Sequence, residues 1–123
     1  MKEFYQMTES QKEEIARNAA SFLEKRGDIS FAYIFGSFVE RGPVSFRDVD
    51  IGIFLEPLAI AQPAAFDYES DVAIELARPL AFPADLLDVK ILNFTSPIFQ
   101  NHVFSRGHLL FAKNYDLLSR LLE

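Results

Sequence analysis

The stretch that decides the fold runs Ser30-Phe31-Ala32-Tyr33-Ile34-Phe35-Gly36-Ser37, breaks for ten residues, and resumes as Asp48-Val49-Asp50-Ile51-Gly52-Ile53-Phe54-Leu55. Each half is rich in β-branched and aromatic residues, so Ser30 to Phe35 and Asp48 to Leu55 read as two buried strands. The first runs straight into Gly36-Ser37. The residues between hold a short helical turn at most before Gly42-Pro43 breaks it. Side chains alternate along a strand, so Asp48 and Asp50 share a face with Cβ atoms roughly 6.5–7 Å apart, while Ile51, Ile53 and Leu55 face the core.

Working outward, Thr8 or Ser10 can cap a first helix, and Ser10 with Glu13 fits a capping box. Ile15, Ala19, Phe22 and Leu23 then form one apolar stripe, and Lys25-Arg26-Gly27 closes the helix, with Gly27 expected to supply a left-handed turn. Pro57 and Pro63 bracket a loop. Ala64 to Leu80 reads as a helix, with Phe66, Ala73, Ile74, Ala77 and Leu80 at roughly helical spacing. Leu86 to Leu92 reads as a third strand, with Leu87, Val89 and Ile91 on one face and Asp88 and Lys90 on the other. Ser96-Pro97 opens a short helix that Gly107 closes. His108 to Ala112 is expected as a fourth strand, and Tyr115 to Glu123 as a last helix. Helices interspersed with strands imply an α/β or α+β domain whose strand order the pattern leaves open.

Composition narrows the function. The chain has 123 residues, which suits one compact domain, 1–123. Twelve Lys and Arg against 18 Asp and Glu leave a net charge of −6, which argues against a broad face for duplex nucleic acid. There is no Cys, so disulfides, thiolate metal sites and cysteine nucleophiles are excluded. No apolar run is long enough to span a bilayer and the N-terminus has no signal-peptide core, so no membrane association and a cytoplasmic location are the expectation. Thirteen Phe and four Tyr are many for so small a core. The surplus reads either as scattered exposed side chains or as the interface of a homo- or hetero-oligomer.

Two carboxylates spaced like Asp48 and Asp50 can converge on a pair of Mg²⁺ ions about 3.5–4 Å apart, the arrangement used for in-line displacement at phosphorus. A solvated strand end is the competing reading of Asp-x-Asp. Gly36 lets a ligand approach the backbone, and Ser37 offers a hydroxyl and an amide to phosphate oxygens. His102 and His108 have no carboxylate at ligand spacing and read as structural. No nucleophile elbow, phosphate-binding P-loop or dinucleotide fingerprint is present.

The ensemble Ile34-Phe35-Gly36-Ser37, ten residues, Asp48-Val49-Asp50 and an apolar strand resembles the signature of the DNA polymerase β-like nucleotidyltransferase superfamily. Within it, the chain is similar to the small single-domain minimal nucleotidyltransferases (MNT), which include adenylyltransferase antitoxins paired with HEPN toxins. Gly42 matches a glycine common in that loop, and Asp88-Val89-Lys90-Ile91-Leu92-Asn93 matches the motif of the third carboxylate. The resemblance covers roughly residues 12 to 115. Arg47 stands where many members carry Ser, and Ile91 where they carry an acid. Neither position is one of the three carboxylates.

The resemblance implies a polymerase β-like nucleotidyltransferase fold, a small mixed β-sheet with flanking helices. It implies an enzyme that uses two Mg²⁺ ions and ATP as substrate, with Asp48, Asp50 and Asp88 as metal-binding catalytic residues and Asp88 helping to deprotonate the acceptor. Gly36 and Ser37 would hold the β- and γ-phosphates, Arg41 or Arg47 would add charge to them, and Lys90 would pair with an aspartate or touch the nucleotide. The acceptor implied is a hydroxyl, a Tyr of a HEPN-type protein encoded nearby, with the chain as its antitoxin. The alternatives are an antitoxin that acts by contact and a transferase for a small molecule.

Overall fold

The computed structural model describes residues 7–40 and 48–123. In chain order these form α1 (Glu9–Glu24), β1 (Ile29–Phe35), β2 (Val49–Leu55), α2 (Ala65–Leu80), β3 (Leu87–Ile91), α3 (Pro97–Arg106), β4 (His108–Ala112) and α4 (Tyr115–Leu122), with short 3-10 turns between some of them. The strands form one mixed sheet in the order β3-β2-β1-β4. β1 runs antiparallel to both β2 and β4, and β2 runs parallel to β3. A parallel neighbour needs a crossover, which α2 supplies.

β1 is buried along its whole length because it has neighbours on both edges and helices over both faces. Alternation sends Ala32 and Ile34 to one face, where they pack with Ile15, Ala19 and Leu23 of α1 and with Val72 and Leu76 of α2. Val49, Ile51 and Ile53 of β2 and Val89 and Ile91 of β3 join the same core. On the other face, Phe31, Tyr33 and Phe35 pack with Phe54, with Val103 and Phe104 of α3 and with Leu118 of α4. Phe31 stacks on Phe54 with ring centroids 4.9 Å apart, and Phe35 meets Phe99 edge to face at 5.9 Å. The two cores share the aromatic side chains, the first taking Phe22, Phe38, Tyr68, Phe82, Phe94 and Phe111. Among the described phenylalanines, Phe66 is the exposed one.

Several local expectations are corrected. The capping box of α1 is built by Thr8 and Gln11: the Gln11 amide donates to the Thr8 hydroxyl and the Thr8 amide to the Gln11 side chain. Ser10 lies inside the helix. Lys25 closes α1 in right-handed conformation, and Gly27 has no positive φ. The left-handed cap belongs to Ala81, after α2, with φ of 50°. In α2 the buried face is Val72, Ala73, Leu76 and Leu80, whereas Ile74 is 64% exposed and Phe66 is 75% exposed. Ile74 lies about 100° round the helix from Ala73 and turns away from the sheet, and Phe66 sits in the first turn, ahead of the first buried residue. Among the described residues no helix is long and apolar enough to cross a membrane.

Phe31 is fully buried at the centre of the aromatic cluster, so Phe31→Ala is expected to cost about 3–5 kcal/mol of unfolding free energy, measured by urea denaturation.

Candidate active site

The chemistry expected from the sequence gathers at one corner of the sheet, where β1 ends and β2 and β3 begin. Phe35 stands opposite Asp50 in the β1–β2 ladder, and Asp50 stands opposite Asp88 in the β2–β3 ladder. Neighbouring strands lie about 4.8 Å apart, so the two carboxylates leave adjacent backbones on the same face. Asp48 immediately precedes β2 and is half-buried, as is Asp50; Asp88 is exposed.

Gly36 adopts φ of 80°, a conformation open to glycine at little cost. A Cβ there would overlap Oδ2 of Asp50 and lie 3.2 Å from its Cγ. The carboxylate therefore rests directly on the Gly36 backbone, and the turn at the end of β1 is shaped around it. Ser37 follows, exposed, in the 3-10 turn Gly36–Val39. Lys90 lies on the Asp88 face, its Nζ 3.6 Å from Asp88 Oδ1. Both side chains are nearly half exposed, so this pair contributes about 0–1 kcal/mol and leaves Asp88 ready to exchange Lys90 for a stronger cation.

Burial raises the pKa of Asp50 from 3.8 to about 6. The negative charges of Asp88 and Asp48 and a proton-sharing contact with Asp88 add to that rise, and Lys90 opposes it. The oxygen-only donor set of Asp48, Asp50 and Asp88 suits a hard cation such as Mg²⁺. Among the described residues, however, no three acidic or His side chains are drawn into a group that could hold a metal as they stand. The corner holds the right donors in an open arrangement.

The register that brings Asp88 to Asp50 depends on residues whose roles sequence reasoning missed. Asn93, just past β3, accepts from the Leu55 amide at 2.8 Å and donates to the Leu55 carbonyl at 3.0 Å, fastening the chain after β3 to the end of β2. Leu92 is fully buried over Gly52, where a Cβ would come within 2.9 Å of the Leu92 Cδ2. On the open side of β3, the Ile91 amide donates to Glu69 of α2 at 2.8 Å. The signal available in the sequence was a lone Asn closing an apolar run. Ile91 faces the core, as its place in the alternation implies. Arg41, Gly42 and Arg47 lie outside the described residues.

Comparison with known proteins agrees with this fold. The family described as "Polymerase beta, Nucleotidyltransferase" matches residues 17–116. No curated protein sequence matches the chain at a significant level. Among solved structures, a chain in the complex of a tri-AMPylated Shewanella oneidensis HEPN toxin with an MNT antitoxin superposes with a TM-score of 0.63 at 17% identity, covering 90% of this chain and 80% of that one. A chain of the MntA–HepT toxin–antitoxin superposes with a TM-score of 0.57 at 16% identity over 94% and 80% of the two chains. A toxin–antitoxin with AMP-PNP gives 0.55 at 18% identity over 94% and 82%.

The state of Asp50 sets a pH dependence. Its folded pKa lies above the unfolded value, so the penalty of ionising it in the fold is absent below about pH 4, grows as pH rises, and is fully present above about pH 6. Without divalent cations, Asp50→Asn is expected to raise the melting temperature by about 3–5 °C at pH 8, on the order of 1 kcal/mol after screening of this half-exposed group. The gain should vanish near pH 4. A gain equal at both pH values would contradict the assignment.

Proposed function

The chain belongs to the polymerase β nucleotidyltransferase family, and from that premise we propose that it transfers AMP from ATP to a hydroxyl, a Tyr of a HEPN-type partner encoded nearby, and thereby silences that partner. The observation that carries this reading is the pairing of Asp50 with Asp88 in register, against a Gly36 turn shaped around the Asp50 carboxylate. The likeness to a chain in a complex containing a tri-AMPylated HEPN toxin supports the choice of AMP and of partner.

Asp48, Asp50 and Asp88 would hold Mg²⁺, with Asp48 and Asp50 shared between two ions and Asp88 on the catalytic one. Bound there, the metal supplies charge neutralisation to the triphosphate and Lewis acidity at the transferred phosphoryl group. The exposed Ser37 hydroxyl and the backbone amides of the Gly36 turn receive the β- and γ-phosphates, and Arg41 or Arg47 would add positive charge to them. The acceptor oxygen attacks the α-phosphorus, the bond from that phosphorus to the bridging oxygen breaks, and pyrophosphate leaves. Asp88, the exposed member of the pair, takes the acceptor proton. Lys90 pairs with Asp88 as the corner stands and would meet the nucleotide once Asp88 held a metal ion. Asp50 must be ionised to serve as a ligand, so its raised pKa makes protons competitors of the metal near pH 6.

The open arrangement of the carboxylates favours one rival reading, an antitoxin that neutralises its partner by contact. Incubation with α-labelled ATP, Mg²⁺ and the protein of the adjacent reading frame separates the two. Label is expected on the partner, and Asp50→Asn or Asp88→Asn is expected to reduce it by about 10²-fold or more. Protection of the partner that persists in those variants without any label would establish contact as the mechanism.

A further inference from the structure

Lys12 and Ser30 are the two buried polar side chains among the described residues, and Lys12 is only 6% exposed. Lys12 lies on the inward face of α1, three residues before Ile15 and seven before Ala19. An ammonium group taken out of water is unfavourable unless it is paired, so its contacts decide where it can lie. Its Nζ donates to the carbonyl of Glu40 at 3.0 Å and sits 5.8 Å from the centre of the Phe38 ring. Both contacts belong to the turn that follows β1. Phe38 is the buried residue of Gly36–Val39, and the Glu40 amide closes the turn on the Ser37 carbonyl at 3.3 Å. The turn is thus fixed at its start by Gly36 against Asp50 and at its end by Lys12 beneath Glu40. Between α1 and the turn lies a depression of about 460 Å³ that reaches Glu9, Glu13, Val39 and His108, so packing leaves this flank open and the Lys12 contacts bridge it.

We propose that Lys12 is a positioning residue for the nucleotide. It holds Gly36 to Glu40 in the conformation in which Ser37 and the backbone amides receive phosphate, and it places a buried positive charge under that turn in a protein whose net charge is −6. The effect reaches the nucleotide through the turn, with no contact to the acceptor. This inference rests on the transferase reading given above.

The test is steady-state AMP transfer with Lys12→Met, Lys12→Gln and Lys12→Arg, together with calorimetric binding of AMP-PNP in Mg²⁺ and the melting temperature of each variant. Lys12→Met is expected to raise KM for ATP and weaken AMP-PNP about tenfold, with kcat and the KM for the acceptor protein unchanged within twofold. Lys12→Arg, which keeps a charged donor, is expected to restore most of the affinity. If Lys12→Met does not fold, Lys12→Gln, which keeps a donor and loses the charge, is expected to show the same selective loss. A folded Lys12→Met or Lys12→Gln with unchanged KM for ATP, or a fall in kcat that tracks the melting temperature, would overturn the proposal while wild-type transfer leaves the function standing. A wild type that neither binds AMP-PNP nor labels its partner would overturn the function and this inference with it.

Discussion

Two carboxylates side by side on adjacent parallel strands are the constraint around which the fold is arranged. Asp50 and Asp88 face one another in the β2–β3 ladder, and Asp48 adds a third negative charge close by. Like charges at that spacing repel, and burial of Asp50 makes the repulsion worse. The strand pairing persists because it is fixed from elsewhere. Asn93 ties the exit of β3 to the end of β2, Leu92 fills the space over Gly52, and Val49, Ile51, Val89 and Ile91 bury the opposite face of the same two strands. The acidic corner is a local cost carried by a large apolar core.

The two ends of the sheet divide the labour. At the end opposite the acidic corner, Arg26 pairs with Glu75 at 2.5 Å, the Tyr68 hydroxyl donates to Asp28, and Lys113 donates to the Arg26 carbonyl at 2.6 Å. These polar contacts join α1, α2 and the ends of β1 and β4, although the buried Arg26 Nε has no hydrogen-bond partner among the described residues. At the acidic end the polar groups are left open, Ser37 and Asp88 being exposed. The aromatic layer of Phe31, Phe54 and Phe104 runs under the sheet between these two ends and stiffens the platform from which Asp50 projects.

Much of this was legible in the amino-acid order. Two apolar strands joined by Gly36-Ser37 and Asp48-Val49-Asp50 announced the corner, and the alternation of Leu87, Val89 and Ile91 with Asp88 and Lys90 put the third carboxylate on the correct face. Strand order was not legible, because period-2 patterning reports which face is buried and says nothing of the neighbour. The abundance of Phe read as scattered exposed side chains or an interface, whereas most described phenylalanines pack into one core or the other; the pattern gave no hint that α3 and α4 cover the second face of the sheet. Phe66 and Ile74 share the helical spacing of α2 yet lie exposed, because an apolar residue at that spacing is inward only where the sheet lies beneath it. Lys12 escaped notice altogether: a lysine among the charges of a first helix looks solvated until the turn after β1 is seen folded over it.

The account stands on the acidic corner being a joint site for metal and nucleotide. Its most direct measurement is the melting temperature of the chain with Mg²⁺ alone, ATP alone and the two together at millimolar concentration. The two together are expected to raise it by several degrees beyond the sum of the separate effects, since a ligand at about 100 times its Kd stabilises the fold by about 2.7 kcal/mol. Identical melting curves under all three conditions would contradict it.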